Sequence, residues 1–413
     1  MPDEFTEITR VGLGGRLKGS FMGVVFGALM FFGSFVLLWV NEGRVNLAKV
    51  AQTAVEVNAT QIDSSAEGKL ISVSALLKTD EDLGDPEYLK PGNYIKLVRI
   101  VEMFAWKEQV SERTEQKVGG SETRIKTYKY KRGWTRHPSP STSFKHPENH
   151  TNPPLTVSQE TFVVQSAQVG LYKINPKTIT FPIAKPLALS SENVILKPGE
   201  KLSTGENNYI FKGSLLSPEV GDVRISFRSV KSGIEVTAFG KLKGETITPF
   251  FYGKEGSLES FESDDDTDES AGRLTINDKE ISLPTFFGKK LHRVLRGDRD
   301  EAIATLSAEH KFISWMLRLV GFLMMWIGMM LFFGPLTTLL GILPFLASLG
   351  RALVSLITLP IALVLSSITI ILSMIFHSII ALLIILGLLF VGLLLLVVCK
   401  RKKRLTRIYE PRD

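Results

Sequence analysis

The strongest constraint in this 413-residue sequence is the near absence of charge from its last third. Residues 312–350 contain one charged side chain, Arg318, and residues 352–399 contain none. A further apolar run covers residues 21–40. A helix needs about 20 apolar residues to cross the hydrocarbon of a bilayer, and backbone polar groups in lipid must be satisfied within a helix or a closed barrel. The sequence therefore predicts an integral membrane protein whose apolar runs are helices.

The C-terminal apolar block is too long for a single helix, and we divide it at its Gly and Pro residues. The predicted spans are residues 21–40, 313–333, 352–374 and 378–398. Gly334 and Pro335 end the second span, and residues 335–350 favour a re-entrant or interfacial segment over a shorter additional crossing, because they are short and contain Pro344. The total is about four crossings. Arg318 lies one turn inside its span, and we expect its long side chain to reach the interface.

Basic residues predict the orientation of the chain in the membrane. The segment after the last span has seven basic and two acidic side chains, so it holds five of the seven formal positive charges. Its first five residues are Lys400, Arg401, Lys402, Lys403 and Arg404. Because basic flanks stay cytoplasmic, residues 1–20 and 400–413 are predicted to be cytoplasmic and residues 41–311 extracytoplasmic. We interpret the tail as a topology anchor, with contact to anionic lipid head groups as the alternative. Nucleic acid is not an expected partner.

The segment between the first two spans is predicted to be a large β-rich (α+β) domain. Residues 94–110 and 123–134 are rich in β-branched and aromatic side chains and flank Gly119-Gly120, which predicts a long hairpin. Residues 49–62 and 298–314 favour helices instead. The single cysteine, Cys399, lies at the membrane edge, so no disulfide is expected in this domain. The fold class is a helical membrane protein carrying an extracytoplasmic β-rich domain between span 1 and span 2.

The sequence contains no recognised catalytic or cofactor motif, and we predict no catalytic residue, cofactor or metal site. The nucleophile-elbow, P-loop, dinucleotide and zinc-protease signatures are absent. We considered a metal site formed by His137, His146, Glu148 and His150. These residues lie in a Pro-rich segment that predicts an irregular loop, which would not fix the geometry of metal ligands. The acidic run at residues 259–270 lacks the Gly and Glu of a calcium loop and predicts a solvated loop.

Five strings of residues, in one order along the chain, carry a family resemblance. They are residues 41–44 (NEGR), 101–108 (VEMFAWKE), 218–227 (PEVGDVRISF), 248–250 (TPF) and 292–296 (HRVLR). With one N-terminal span, a β-rich domain and a C-terminal cluster of spans, this pattern resembles the LUMA family (transmembrane protein 43). Residues 135–200 and the detail of the last spans depart from it. The resemblance implies self-association, and for animal members it implies the endoplasmic reticulum and inner nuclear membrane, with envelope proteins as partners. It implies no enzymatic activity. For this chain we favour a prokaryotic cytoplasmic membrane.

The matched strings define the candidate site residues. These are Asn41, Glu42, Gly43, Arg44, Glu102, Trp106, Gly221, Asp222, Arg224, Phe227, His292 and Arg293. Glu42 and Arg44 follow the first span, and we expect them to pair with His292, Arg293 or Arg296, which precede the second span.

Three functions remain open from the sequence. The favoured one is a non-catalytic membrane scaffold that self-associates and engages membrane or envelope partners through its external domain. The alternatives are an oligomeric pore or lipid-handling protein and, third, an enzyme with an unrecognised external site. The expected partners are the lipid bilayer, further copies of the chain and unknown membrane or envelope proteins. We expect helix contacts to use the small residues Gly321, Gly328, Gly387 and Gly392.

Overall fold

The computed structural model describes residues 3–203, 208–253, 273–276, 279–282, 290–340, 342 and 344–377. The chain forms two compact units. The first unit contains Met1–Thr9, Val45–Thr114 and Arg124–Lys311, and the second contains Arg10–Arg44, Glu115–Thr123 and Phe312–Asp413. The acidic run at 259–270, the predicted span at 378–398, Cys399 and the basic tail Lys400–Arg404 lie outside the described residues.

The described residues contain five α-helices and twenty-one strands. The helices are α1 (Leu13–Glu42), α2 (Leu47–Gln52), α3 (Arg299–Phe332), α4 (Gly334–Leu340) and α5 (Pro344–His377). The strands are β1 (Glu4–Val11), β2 (Val55–Glu56), β3 (Leu70–Lys78), β4 (Leu83–Asp85), β5 (Leu89–Gly92), β6 (Tyr94–Gln116), β7 (Glu122–Thr135), β8 (Glu160–Val163), β9 (Ala167–Val169), β10 (Tyr172–Ile174), β11 (Lys185–Pro186), β12 (Glu200–Ser203), β13 (Tyr209–Lys212), β14 (Val223–Lys231), β15 (Ile234–Lys243), β16 (Thr246–Thr248), β17 (Phe250–Phe251), β18 (Arg273–Ile276), β19 (Lys279–Ser282), β20 (Lys290–Leu291) and β21 (Arg293–Arg296).

Two large sheets build the β-rich unit. The first runs in the order β1-β7-β6-β14-β13-β12, with β8 on β6 and β11 on β14. In the second, β3, β9, β10, β16 and β15 pair in turn, and β15 pairs back onto β3. These five strands form a closed ring, which is flanked by β2 and β21. The large β-rich region is therefore confirmed, and β6 and β7 form the predicted hairpin around Gly119-Gly120.

Alternation of apolar and polar residues explains the first sheet. In β14, Val223, Ile225 and Phe227 are buried, whereas the intervening residues are only half-buried. The same three side chains pack with Val101 and Met103 of β6, which pairs with β14 in an antiparallel register. A period of two is what a strand with one buried face requires.

The N-terminal residues form a strand that the sequence analysis did not predict. Residues 1–20 were expected to be a cytoplasmic segment, on the opposite side of the membrane from residues 41–311. Instead, β1 pairs with β7, and the backbone N–H of Tyr130 donates to the carbonyl oxygen of Asp3 (2.8 Å). Strands of one sheet share their hydrogen bonds and cannot lie on opposite sides of a bilayer. The structure therefore disagrees with the separation of residues 4–9 from the β-rich unit.

Three described helices, rather than about four, are long and apolar enough to cross a membrane: α1, α3 and α5. Helix α3 ends at Phe332, before the predicted break at Gly334. The residues 335–350, which we expected to form one separate segment, are shared between two helices, since α4 covers the first part and α5 begins at Pro344. The predicted helix at 49–62 is much shorter, because α2 ends at Gln52 and the chain extends as β2. The side chain of Asn46 caps the N-terminus of α2.

Close packing of glycines joins α1 to α3 within the second unit. A Cβ atom on Gly27 would lie 2.8 Å from the carbonyl oxygen of Gly328, and one on Gly328 would lie 2.8 Å from the carbonyl oxygen of Gly27. A Cβ atom on Gly321 would lie 2.5 Å from Leu38. Two of the small residues that we expected at helix contacts therefore pack inside one chain. The other two, Gly387 and Gly392, lie outside the described residues.

Candidate functional site

A charged pair joins α1 to α3 where α1 ends. Arg318 donates from Nε to Oε1 of Glu42 (2.8 Å) and from Nη2 to Oε2 (2.7 Å). The Glu42 side chain is 7% exposed and that of Arg318 is 22% exposed. Two parallel hydrogen bonds between a guanidinium and a carboxylate fix both distance and orientation. Arg318, which we expected only to reach the interface, is therefore the partner of Glu42.

Asn41 lies beside this pair and is almost completely buried, with 3% of its surface exposed. Its Nδ2 donates to Oε1 of Glu42 (3.1 Å) and to the carbonyl oxygen of Ser314 in α3 (3.2 Å). Its Oδ1 is buried and has no hydrogen-bond partner among the described residues. The amide therefore contributes two donors to the α1–α3 junction and leaves one acceptor unused.

Helix α5 reaches the same end of α1 through Ser373 and His377. The Ser373 hydroxyl donates to the carbonyl oxygen of Trp39 (2.9 Å), and Nδ1 of His377 donates to the carbonyl oxygen of Ser373 (2.8 Å). The His377 ring lies against Gly43, where a Cβ atom would come within 2.4 Å of Nε2. Only a glycine leaves room for this ring. His377 is the last described residue of α5.

We name Asn41, Glu42, Arg44, Arg318, Ser373 and His377 the α1-end cluster. Arg44 lies within the electrostatic reach of Glu42, and its Nη1 is buried without a hydrogen-bond partner in the described part of the chain. The cluster connects α1, α3 and α5 within the second unit. Three of its residues belong to the matched string at 41–44, and the other three are long-range neighbours that the sequence did not identify.

Two of the residues that we expected to pair with Glu42 or Arg44, His292 and Arg293, have partners within the first unit. Arg293 donates from both terminal nitrogens to the carboxylate of Glu309 (2.6 and 3.1 Å). His292 is buried, with Nδ1 3.2 Å from the carbonyl oxygen of Thr178 and Nε2 3.2 Å from that of Ile247. Burial lowers the pKa of His292, although the two carbonyls act in the opposite direction.

Glu102 and Arg224 meet on the less buried face of the first sheet. They are register partners of β6 and β14, and Arg224 Nε donates to Oε2 of Glu102 (2.7 Å). The Arg224 guanidinium also lies 4.6 Å from the ring centres of both Trp134 and Tyr209. Ion pairing and ring contacts hold this arginine in one position.

The residues Gly221, Asp222 and Phe227 shape the strand before and within β14. The Asp222 carboxylate accepts from the backbone N–H groups of Ser214 and Glu219 (both 3.0 Å), which closes the preceding turn. Gly221 has a φ of +103° in that turn. Phe227 is buried in the core of the first sheet. These three residues therefore have roles in folding.

Trp106 belongs to an aromatic cluster that includes two of the histidines weighed as metal ligands. The ring of His150 stacks on Tyr130 (3.9 Å) and meets Trp106 edge-on (4.8 Å), and the ring of His146 stacks on Phe5 of β1 (4.3 Å). Burial and a hydrogen bond to Glu108 raise the pKa of Tyr130 to about 12. Among the described residues, no three His, Cys, Asp or Glu side chains are grouped as metal ligands.

A buried charge network around Arg99 was missed by the sequence analysis. Arg99 donates to Asp85 (2.8 Å), to Glu160 (2.8 Å) and to the carbonyl oxygen of Ser158 (3.0 Å). Arg99 and Asp85 are both buried. The available signal was an arginine at an inward-facing position of the apolar strand β6, since such an arginine needs buried partners.

Comparison with known proteins adds the family context. Residues 103–379 match the family model described as Transmembrane protein 43. Transmembrane protein 43 of Pongo abelii is 30% identical over 260 residues, and that of Homo sapiens is 30% identical over 261 residues; each alignment covers 57% of this chain and 62% of the relative. The Transmembrane protein 43 homolog of Drosophila melanogaster is 26% identical over 238 residues, 55% of this chain and 62% of the relative. The matched part thus spans less than two thirds of these relatives. No solved structure is a significant match.

Proposed function

Because this chain belongs to the transmembrane protein 43 family, we propose that it is a non-catalytic membrane scaffold that assembles with further copies of itself through its β-rich unit. In this proposal the same unit engages membrane or envelope partners. The apolar helices α1, α3 and α5 anchor it. The basic residues after residue 399 support a cytoplasmic C-terminus.

The unpaired outer edge of β1 is the observation that carries this proposal. β1 is the last strand of the first sheet, and within the described residues only β7 pairs with it. The Asp3 carbonyl faces β7, because it accepts from Tyr130. Backbone groups of successive strand residues point to alternate sides, so the groups of Thr6 and Ile8 face away from the sheet. An edge with free donors and acceptors is a template for another strand.

The charges of β1 suit a second copy of the same strand. Antiparallel pairing centred on Glu7 would place Glu4 of each copy opposite Arg10 of the other, and opposite charges across a strand pair are stabilising. Glu7 would then face its own counterpart. Its charge is partly balanced inside each copy, because the Tyr128 hydroxyl donates to it (3.1 Å) and Lys145 Nζ lies 3.5 Å away. The Tyr128 hydrogen bond, followed by Lys145, lowers the pKa of Glu7.

Replacing Thr6 with proline tests the proposal, since proline removes one outward N–H and is tolerated on an edge strand. Thr6→Val keeps that N–H and is the matched control. We expect the full-length protein and Thr6→Val to be oligomeric by light scattering in mild detergent, and Thr6→Pro to be monomeric with an unchanged melting temperature. A monomeric wild-type protein at high micromolar concentration, or a Thr6→Pro variant with the wild-type mass, would contradict self-association through β1.

A further inference from the structure

We propose that the α1-end cluster binds the head group of an anionic phospholipid of the phosphatidylglycerol type. In this site Arg44 contacts the phosphate, and the side-chain oxygen of Asn41 accepts a hydrogen bond from a head-group hydroxyl. This inference does not depend on self-association, because it rests on contacts within the second unit of one chain.

The unused hydrogen-bonding groups of the cluster indicate which kind of ligand it binds. Both carboxylate oxygens of Glu42 are occupied by Arg318. Arg44 Nη1 and Asn41 Oδ1 are buried and have no partner within the described residues. A buried polar atom without a partner is costly, and the cost is larger for a charged group. The cluster therefore offers one charged donor and one neutral acceptor to a ligand.

The charge of the cluster favours an anion. Glu42 and Arg318 are joined by two hydrogen bonds, and with Arg44 the cluster holds two guanidinium groups against one carboxylate, which gives it a net positive charge. A guanidinium matches the oxygens of a phosphate in geometry as well as in charge. A glycerol head group adds hydroxyl donors next to that phosphate, which is the chemistry that the free oxygen of Asn41 accepts.

The surroundings favour a lipid over a soluble phosphate compound. Trp39 of α1 and Trp315 of α3 are 40% and 67% exposed, and the Arg318 guanidinium lies 5.2 Å from the Trp315 ring centre. Tryptophans at the ends of apolar helices are typical of the membrane–water interface. The large apolar side chains exposed along α1, among them Phe32 and Val36, would contact the acyl chains.

The test uses the full-length protein in detergent and measures its thermal shift with increasing phosphatidylglycerol or phosphatidylcholine of identical acyl chains. Glycerol 1-phosphate is the soluble probe. The variant Arg44→Gln removes the charge and keeps an amide. Arg351→Gln, at an exposed arginine of α5, removes the same charge elsewhere and is the matched control. Arg44→Lys keeps the charge without the planar donor geometry.

We expect phosphatidylglycerol to stabilise the wild-type protein more than phosphatidylcholine. We expect Arg44→Gln to weaken its apparent affinity about tenfold, since a charge-assisted hydrogen bond is lost. Arg44→Lys should fall between the two, and Arg351→Gln should match the wild type. Equal responses to both lipids would overturn the proposal, as would equal losses in Arg44→Gln and Arg351→Gln. An equally large, Arg44-dependent response to glycerol 1-phosphate would assign the site to a soluble ligand and overturn the lipid assignment. If Arg44→Gln does not fold in phosphatidylcholine, Arg44→Lys alone decides, and a wild-type lipid response in it refutes the role of Arg44.

Discussion

Removing one charge from the Glu42–Arg318 pair should destabilise the helix bundle by an amount that depends on which partner is lost. Arg318→Gln leaves a carboxylate whose side chain is 7% exposed, with Nδ2 of Asn41 as its remaining side-chain donor. Breaking a buried pair in this way costs about 3–5 kcal/mol. Glu42→Gln leaves the more exposed guanidinium, which reaches the interface along its own stem, so the cost is about 1.5–3 kcal/mol.

The double variant separates the pair from the two side chains. With neither charge present, no buried ion lacks a partner, and the double variant should recover about 1–3 kcal/mol relative to the sum of the single variants. The measurement is thermal unfolding of the full-length protein in nanodiscs, followed by tryptophan fluorescence. The Trp315 ring lies 5.2 Å from the Arg318 guanidinium and reports locally. For units of about 150–250 residues, each kcal/mol corresponds to about 2–4 °C, so Arg318→Gln should lower the melting temperature by roughly 6–20 °C.

Arg351→Gln, which removes an exposed arginine of α5, is the control and should leave the melting temperature unchanged within about 2 °C, as expected for surface substitutions. Two results would refute the reasoning. One is a larger loss in Glu42→Gln than in Arg318→Gln, because burial would then not set the cost. The other is strict additivity in the double variant, because the two side chains would then not interact.

Three further outcomes are expected. Gly27→Ala should lower the melting temperature, because its Cβ atom would meet the backbone of α3 at 2.8 Å. Gly23→Ala is the control and should not lower it, because the nearest atom to its Cβ would be 3.9 Å away. Equal effects of the two variants would show that α1 and α3 do not pack at Gly27. The pKa of His292 is lowered in the folded chain, so the unfolded chain binds a proton near pH 6.5 that the folded chain binds only at lower pH. The free energy of unfolding should therefore fall as the pH falls through 6.5 towards the folded pKa. His292→Gln should reduce this slope in denaturation curves recorded from pH 7.5 to 5. Cysteines introduced at Thr6 and Lys131 should react with an impermeant thiol reagent from the same side of the membrane, since β1 and β7 share a sheet; labelling from opposite sides would restore the sidedness predicted from the basic flanks of α1.

Local sequence patterns predicted the elements whose formation depends on neighbouring residues. The hairpin of β6 and β7 follows from two β-branched and aromatic runs around Gly119-Gly120, and the end of α3 follows from Gly334-Pro335. In each case the turn or break is encoded within a few residues. The alternation of apolar and polar residues at 223–228 is likewise a local pattern, and it accounts for the half-buried strand β14.

Partners distant in the sequence could not be predicted in this way. Glu42 pairs with Arg318, which is 276 residues away. The basic residues before α3 that we expected as its partners lie closer to Glu42 in the sequence. Two of those residues have other partners: both ring nitrogens of His292 lie near backbone carbonyl oxygens, and Arg293 donates a hydrogen bond to Glu309. Which of several arginines meets a given carboxylate depends on tertiary packing. Dependence on tertiary packing also explains why β1 was not predicted. Its short, mostly polar sequence becomes a strand because β7 supplies its hydrogen-bond partners.

The closed ring of β3, β9, β10, β16 and β15 should resist local unfolding more strongly than the edge strand β1 of the same unit. Every strand of the ring has a neighbour on both sides, and its members come from residues 70–78, 167–174 and 234–248. Amide hydrogens inside such a ring exchange with solvent only when strands far apart in the sequence separate together, so exchange should approach the rate set by global unfolding. The edge strand β1 can detach without disturbing the ring. Hydrogen exchange should therefore proceed from β1 inward, which keeps the edge free to exchange partners while the rest of the unit stays folded.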